Sequence, residues 1–431
     1  MKGRPLPVPL RIYRGAAAAA TLLAPAWLNY RISKGKEDPA RIGERRGFTK
    51  VERPRGPMIW VHGASVGEIV SVLPLVERLM GRGFAILLTS GTLTSSRIAA
   101  RRAPRGVIHQ FVPLDAPAFV RRFLDHWKPD LALLAESELW PNLMTELDRR
   151  GTSVVLVNGR LSLRSSERWK RLPKSARALL SRVDLCLAQT QDDGARFKAL
   201  GAPRVEVVGN LKFDVPAPPA DGATLARLQT AIAYRPVLLG ASTHPGEDEV
   251  LIEAHKQLRN ELPDLLTIIA PRHPERGADV HALAQGAGLT AVQRSRAPLP
   301  PADTDIYVAD TIGELGLFYR LAGVAFLGGS LVRHGGQNPI EAAKIGTVVL
   351  HGPHIWNFGA VYGRLDAERG AIPVADAADI ARFAFASLTD PEFQEDTAHA
   401  ARRAVDLLGG ALERTLNAVD PYLLQIRLEG K

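Results

Sequence analysis

The sequence GGSLVRHGGQNPIEAA, residues 328–343, indicates more about the fold than any other stretch of the chain. It follows an apolar run at 323–327 and precedes a predicted helix that begins near Pro339. Its glycines let the backbone approach a ligand, the first amides of the helix attract anions, and Glu341 can accept hydrogen bonds from a ribose. This order is typical of a nucleotide site without a Walker lysine, although a tight connection without a ligand is the alternative.

Strand and helix patterns alternate along the rest of the chain in two blocks. Apolar runs predict strands at 58–61, 84–89, 107–112, 130–135, 153–157, 183–188 and 205–208, then at 236–240, 265–270, 306–309, 324–327 and 347–350. Amphipathic segments between them predict helices, and this alternation favours parallel sheets covered on both faces. The stretch DVPAPPADG at 214–222 interrupts the pattern and predicts a linker, which we extend over 214–235. We therefore expect a segment at 1–56, a domain at 57–213 and a domain at 236–431.

Composition fits a globular protein of two domains. The chain has 431 residues, of which 46% are hydrophobic and 23% charged. Such a length allows two well-buried cores. The single cysteine, Cys186, excludes an intrachain disulfide and is consistent with a reducing compartment.

Positive charge concentrates at the N-terminus. Residues 1–60 contain 13 Lys or Arg against 4 Asp or Glu, which accounts for +9 of the net charge of +10. The apolar stretch GAAAAATLLAPAWL at 15–28 is shorter than the roughly 20 residues of a bilayer-spanning helix. We favour a helix that lies on an anionic membrane surface. A secretory signal cleaved near Ala24-Pro25-Ala26 and an ordinary helix packed on the domain are the alternatives, and nucleic-acid binding is disfavoured.

Three residues of the first block could carry chemistry. Glu68 follows the first strand, and its spacing from Ser65 fits either a helix-capping box or a general base. Glu136 follows the strand at 130–135, where it could act in a site or charge the next helix. Lys212 follows the last strand and could neutralise charge on a substrate, although most such lysines are merely solvated.

In the second block, polar turns follow several strands of one sheet. Arg272 follows the strand at 265–270 and could hold a phosphate with two hydrogen bonds. The sequence DTIGEL at 310–315 follows the strand at 306–309, and the glycine-rich turn follows the strand at 324–327. His244 and His273 lack the spacing of metal ligands on a helix. Because ligands bind at the carboxyl ends of parallel strands, these turns predict one binding site.

Six motifs in this order resemble the lipid A Kdo transferases, which add 3-deoxy-manno-octulosonic acid (Kdo) to a lipopolysaccharide precursor. The resemblance covers residues 26–424. The motifs are ASVGE at 64–68, ESELWPN at 136–142, GNLKFD at 209–214, APRHPER at 270–276, DTIGEL at 310–315, and the turn that ends in NPIE at 338–341.

The resemblance implies a GT-B glycosyltransferase fold: two Rossmann-like doubly wound α/β domains with an interdomain cleft, and a last helix that crosses back to the first domain. The first domain would bind the acceptor and the second the donor, CMP-Kdo. It implies catalytic roles for Glu68 as general base and for Glu136 and Lys212 as supporting groups. The residues implied to contact CMP are Pro271, Arg272, Ile312, Gly313, Glu314, Asn338, Pro339, Ile340 and Glu341. Family members usually carry His at the position of Gln337, which puts any contact by that imidazole in doubt.

The resemblance also implies an inverting transfer of Kdo from CMP-Kdo to lipid IVA, without a metal or other cofactor. It implies a location on the cytoplasmic face of the bacterial inner membrane, in contact with an anionic membrane surface and not with nucleic acid. A transferase or epimerase for another nucleotide sugar, and a binding protein without turnover, are the alternatives. The sequence leaves open the number of Kdo residues added and the oligomeric state.

Overall fold

The computed structural model describes residues 5–429, and the chain divides into two compact units. Of the described residues, 5–215 and 409–429 form the first unit, and 216–408 form the second. The C-terminal helix therefore belongs to the same unit as the N-terminal half of the chain.

Each unit contains a sheet of seven parallel strands. In the first unit the strands are β1 Met58–Gly63, β2 Ala85–Ser90, β3 Ile108–Phe111, β4 Leu131–Ala135, β5 Ser153–Gly159, β6 Leu185–Ala188 and β7 Val205–Val207. In the second they are β8 Val237–Thr243, β9 Leu266–Pro271, β10 Ala291–Gln293, β11 Ile306–Val308, β12 Val324–Leu327, β13 Val348–His351 and β14 Ala371–Pro373. The predicted doubly wound α/β architecture is thus confirmed in both units.

Helices follow most strands. In the first unit they are α1 Val8–Ala20, α2 Ala24–Ser33, α3 Val66–Gly81, α4 Leu93–Arg102, α5 Pro117–Trp127, α6 Pro141–Arg150, α7 Leu163–Lys170, α8 Pro173–Leu180 and α9 Gln191–Leu200. The second unit contains α10 Gly222–Ile232, α11 Glu247–Arg259, α12 Gly277–Gly286, α13 Leu315–Leu321, α14 Ile340–Ile345, α15 Gly359–Ala367, α16 Ala377–Thr389 and α17 Pro391–Leu408. The last helix, α18 Ala411–Glu429, returns to the first unit.

The strand order fixes where ligands can bind. It is β3-β2-β1-β4-β5-β6-β7 in the first sheet and β10-β11-β9-β8-β12-β13-β14 in the second. The order reverses between β1 and β4 in one sheet and between β8 and β12 in the other. Ligands of open α/β sheets bind beyond the carboxyl ends of the strands at such a switch point.

The core of the first unit has a layer on each face of the sheet. Alternate residues of β1 point to opposite faces: Ile59 and Val61 pack with α3 and α18, whereas Met58 and Trp60 pack with α5, α6 and α8. All of these strand residues are fully buried. The continuous apolar strands seen in the sequence therefore reflect burial on both faces.

The N-terminal helices α1 and α2 each bury some residues against the rest of the first unit, and the turn between them is exposed. Leu10 of α1 and Leu28 of α2 are buried, and Arg14 forms an ion pair of 2.7 Å with Glu146. Leu22 and Leu23, between the two helices, are exposed to 85% and 71%. None of the helices between residues 5 and 429 combines the length and apolar character that crossing a bilayer requires.

Two details correct the sequence-based expectations, and a third agrees with them. The linker expected over 214–235 is partly helical, because α10 begins where the Asp221 carboxylate accepts a hydrogen bond of 2.8 Å from the Thr224 amide. The short strands β10 and β14 were not predicted. The helix predicted to begin near Pro339 is found: it starts at Ile340, and Pro339 is its cap.

Candidate active site

The predicted catalytic residues of the first unit follow the two strands at its switch point. Glu68 lies in the first turn of α3, directly after β1, and Glu136 follows the last residue of β4. Strands β1 and β4 are paired neighbours in the sheet. The fold therefore brings both acidic residues to the same edge of the sheet, as the sequence pattern predicted.

Glu68 makes the contacts of a helix cap. Its Oε2 accepts a hydrogen bond of 2.9 Å from the Ala64 amide, and its Oε1 accepts one of 2.7 Å from the Ser65 hydroxyl. The Ser65 hydroxyl in turn accepts the Glu68 amide at 3.3 Å. The residue is 9% exposed. Because a carboxylate offers about four lone-pair sites, these two bonds leave each oxygen able to accept another donor.

Glu136 and Lys212 form an ion pair. The Lys212 ammonium donates to Glu136 Oε1 at 3.1 Å, and both side chains are partly exposed. The Lys212 ammonium also lies above Gly67, in the first turn of α3. Glu136 has a φ of 54°, in the left-handed region that costs a non-glycine residue free energy. Strained residues of this kind concentrate at functional sites.

Lys212 is positioned by the GNLKFD motif around it. The Asn210 side chain accepts the Lys212 amide at 3.0 Å, and the Leu211 amide donates to Asn158 Oδ1 at 3.0 Å. The Asp214 carboxylate accepts the amides of Gly410 and Leu412, each at 2.6 Å. Asp214 thus ties the motif to the start of α18. This role of Asp214 has no signal in the sequence, because its partners lie nearly 200 residues away.

In the second unit, the glycine-rich turn is held by a buried carboxylate that the sequence analysis missed. Glu247 begins α11 and is fully buried. Its Oε1 accepts the amides of Ser330 and Leu331 at 2.9 and 3.0 Å. Its Oε2 accepts those of Gly329 and His244 at 2.7 and 2.9 Å. Four backbone donors on a single carboxylate fix the turn against the carboxyl ends of β8 and β12.

Close packing explains the first glycine of the turn. A Cβ at Gly328 would lie 2.3 Å from the Ser242 carbonyl oxygen, a contact that real Cβ atoms do not make. The next glycine, Gly329, has a φ of 67°. The turn therefore requires glycine at 328 for space and favours it at 329 for backbone conformation.

Basic and aromatic side chains collect around this turn. Arg272, after β9, is exposed, and its amide donates to the Thr243 carbonyl at 3.0 Å. The His244 ring centroid lies 3.9 Å from that of His334 and 6.3 Å from that of His273. Burial lowers the pKa of His244 to about 4, and neighbouring imidazoles and arginines add to the shift. The predicted meeting of the β9 and β12 turns is therefore found.

The predicted CMP contacts that follow β11 differ in their exposure and in their hydrogen-bond partners. Ile312 is exposed to 72%, and Gly313 has a φ of 87°. Glu314 forms a bidentate ion pair with Arg294 at 2.6 and 2.7 Å, and these hydrogen bonds lower its pKa despite partial burial. Its carboxylate thus already has a partner, and Thr311 donates to it rather than capping a helix.

The remaining predicted contacts are Pro271 and the residues at the start of α14. Pro271 is the buried last residue of β9. The Asn338 side chain accepts the Ile340 amide at 3.1 Å, and Pro339 and Glu341 flank that residue. Gln337 Nε2 lies 3.2 Å from His244 Nε2, so its amide donates to an unprotonated imidazole nitrogen. Gln337, at the position where the resemblance implies His, therefore has its own partner in this turn.

Comparison with known proteins identifies the family. Residues 40–215 match the family model described as 3-deoxy-D-manno-octulosonic-acid transferase (kdotransferase). The chain is 35% identical over 392 residues to the 3-deoxy-D-manno-octulosonic acid transferase of Haemophilus influenzae, which covers 89% of this chain and 91% of that protein. The chain belongs to the Kdo transferase family. The Kdo transferase of Bordetella pertussis is 37% identical over 394 residues, again covering 89% and 91%.

Comparison of this Kdo transferase with solved structures supports its predicted fold. A glycosyltransferase from Rickettsia africae superposes with a TM-score of 0.56 at 13% identity, covering 86% of this chain and 99% of that chain. The UDP-GlcNAc 2-epimerase of Neisseria meningitidis superposes with a TM-score of 0.55 at 14% identity, covering 86% and 100%. At such identities the likeness shows the fold alone. The predicted GT-B fold is confirmed, and the choice of reaction rests on the family.

Proposed function

We propose that this Kdo transferase moves Kdo from CMP-Kdo to a hydroxyl of lipid IVA with inversion at the anomeric carbon. The observation that carries the proposal is the position of Glu68 and the Glu136–Lys212 ion pair at the switch point of the first unit. We assign the acceptor to the first unit and the donor to the second.

Glu68 is the proposed general base. Its two hydrogen bonds to Ala64 and Ser65 hold the carboxylate in one orientation, and its remaining lone pairs can accept an acceptor hydroxyl. Removal of that proton makes the hydroxyl oxygen a better nucleophile as the bond to Kdo forms. The helix-capping contacts therefore serve the base by preorganising it, and the two interpretations of Glu68 are compatible.

Lys212 is the proposed stabiliser of developing negative charge, with Glu136 as the group that positions it. The ion pair of 3.1 Å with Glu136 positions the Lys212 ammonium, and preorganised electrostatic stabilisation depends on such positioning. In the second unit, Arg272 beside the glycine-rich turn offers the cationic charge for the CMP phosphate. The turns at 312–314 and 338–341 are the proposed contacts to the nucleoside.

We also propose that the N-terminal segment rests on the cytoplasmic face of the inner membrane. Leu22, Leu23 and Tyr30 expose apolar surface there, and Lys34 and Lys36 are exposed beside them. Apolar insertion together with basic residues is the combination that holds proteins on anionic lipid. An amphiphilic acceptor and a soluble donor would meet at such a surface.

The proposal is tested by offering the protein lipid IVA with CMP-Kdo or with UDP-N-acetylglucosamine, and analysing the products by mass spectrometry. We expect lipid IVA carrying one or more Kdo residues from CMP-Kdo only, with the anomeric configuration opposite to that of the donor by NMR. Transfer from the UDP-sugar instead would assign the protein to another nucleotide sugar. Binding of CMP-Kdo without transfer would make it a binding protein.

A further inference from the structure

A cavity of about 250 Å³ lies in the first unit beside the proposed base. It is formed at the carboxyl ends of β1 to β4 and bordered by α2. Ala64, whose amide donates to Glu68, is part of its lining. Pockets for drug-sized ligands measure roughly 300–1,000 Å³, so this cavity suits a smaller group such as one ring.

A buried imidazole nitrogen in the lining has no hydrogen-bond partner within the described chain. His62 is fully buried, and its Nδ1 lies 2.8 Å from the Thr89 hydroxyl. Its Nε2 has no hydrogen bond, and the nearest charged partner is Glu138 Oε2 at 3.6 Å. Buried polar atoms normally have a hydrogen-bond partner, so we expect this nitrogen to pair with a group from outside the described chain.

A hydroxyl group placed to one side of these two atoms can pair with both of them. Burial alone would raise the pKa of Glu138, but His62 and a hydrogen bond from Trp140 outweigh burial and lower it. Glu138 is therefore a carboxylate that can only accept hydrogen bonds at neutral pH. A hydroxyl can donate to Glu138 Oε2 and accept from His62 Nε2 when the imidazole carries its proton on Nε2, the tautomer in which Nδ1 accepts from the Thr89 hydroxyl. Separations just beyond hydrogen-bond length are where a bridging group is expected.

The walls of the cavity suit the carbon face of a sugar. Trp27 and Trp140 line it and remain 47% and 42% exposed, although large aromatic side chains are normally well buried. The Trp140 indole is oriented by its hydrogen bond of 2.7 Å to Glu138 Oε2. Aromatic rings beside fixed polar groups are a usual composition of a small-molecule site. The polar part of this lining also includes the charged residues Arg31, Glu37, Arg45 and Asp115.

We propose that this cavity binds a sugar ring of the acceptor, with one ring hydroxyl bridging His62 Nε2 and Glu138 Oε2. The inference rests on the proposed function and extends it, since it names the part of the acceptor that is recognised and where. A ring held here lies beside Ala64 and thus beside the proposed base. His62, Glu138 and the two tryptophans are positioning residues that set acceptor affinity and specificity.

The test measures binding and turnover of two acceptors: lipid IVA, and the phosphorylated disaccharide left after removal of its acyl chains. The variants are Glu138→Gln and Trp27→Leu, with Tyr234→Leu as the control. Tyr234 is an exposed aromatic residue that lies outside both the cavity lining and the N-terminal segment. Binding of the disaccharide is measured by calorimetry without donor, so that the result does not depend on catalysis.

We expect Glu138→Gln to weaken disaccharide binding and raise the KM of both acceptors by about tenfold, the effect of weakening one hydrogen bond to a charged group. Trp27→Leu removes an aromatic wall of the cavity and should change both quantities in the same direction. The KM for CMP-Kdo, and disaccharide binding and both acceptor KM values of Tyr234→Leu, should stay at wild-type values. An effect on lipid IVA that vanishes with the disaccharide would assign the cavity to an acyl chain and overturn the inference. An affinity for the disaccharide that both substitutions leave unchanged would also overturn the inference. Wild-type protein that binds the disaccharide but transfers nothing would instead refute the proposed function.

Discussion

Replacing Glu247 by glutamine tests how the glycine-rich turn is held in place. The Glu247 carboxylate accepts four backbone amides, two on each oxygen. A glutamine keeps one carbonyl oxygen, which can serve two of those amides, and turns its NH₂ group towards the other two. Glu247→Gln therefore leaves two buried N–H groups unpaired. At 1–3 kcal/mol for each, the expected loss in the free energy of unfolding is about 2–6 kcal/mol.

Two measurements check this value. Urea unfolding followed by circular dichroism gives the change in unfolding free energy, and hydrogen exchange with mass spectrometry reports protection of the amides at 329–331. Glu253→Gln is the matched control, because Glu253 is exposed on the same helix and its substitution should change stability by less than about 0.5 kcal/mol. If Glu247→Gln matches Glu253→Gln in stability and keeps wild-type protection, the carboxylate does not hold the turn.

Three further predictions concern stability and membrane contact. Asp214→Asn should lower the unfolding free energy by about 1–2 kcal/mol, since it weakens the charge-assisted cap of α18, and unchanged exchange of the Gly410 and Leu412 amides would contradict this. Burial lowers the pKa of His255 to about 4, so between pH 6.5 and pH 4 the unfolded chain binds a proton at this residue and the folded chain does not. The contribution of His255 to the free energy of unfolding should be fully present above pH 6.5 and should be lost as the pH falls towards 4. The unfolding free energy should therefore decrease less steeply with falling pH in His255→Gln, as measured by urea unfolding. Equal decreases in the two proteins would show that His255 does not cause this pH dependence. Replacing exposed Leu22 and Leu23 by serine should reduce cosedimentation with anionic vesicles, and wild-type binding by that variant would exclude them from membrane contact.

The sequence predicted the parts of the fold that depend on local pattern. Strands such as β4 and β12 are unbroken apolar runs, because both faces of each sheet are covered. The strands β10 and β14 have three residues each and carry too few apolar side chains to be recognised. Helix α10 was not predicted, because the proline-rich stretch before it indicates a linker, although Asp is a common N-cap residue and Asp221 caps this helix.

Contacts between distant residues could not be predicted. Glu247 looked like an ordinary acidic residue at a helix start, because its partners at 329–331 lie 82–84 residues away. Its location directly after a strand, beside another strand-end turn in the predicted sheet, was the available signal. The positive φ of Glu136 carries no sequence signature, since glycine or asparagine is the usual residue there. The catalytic and CMP-binding assignments of individual residues remain predictions.

The most direct test of the account is the rate of Kdo transfer by Glu68→Gln. Glutamine can still accept the Ala64 amide and donate to Ser65, so this variant keeps the helix cap while removing the base. Glu77→Gln, at an exposed site on the same helix, is the control. We predict that kcat in Glu68→Gln falls at least about 100-fold with both KM values retained, while Glu77→Gln transfers Kdo at the wild-type rate. A folded Glu68→Gln protein that transfers Kdo at the wild-type rate would show that Glu68 only caps the helix.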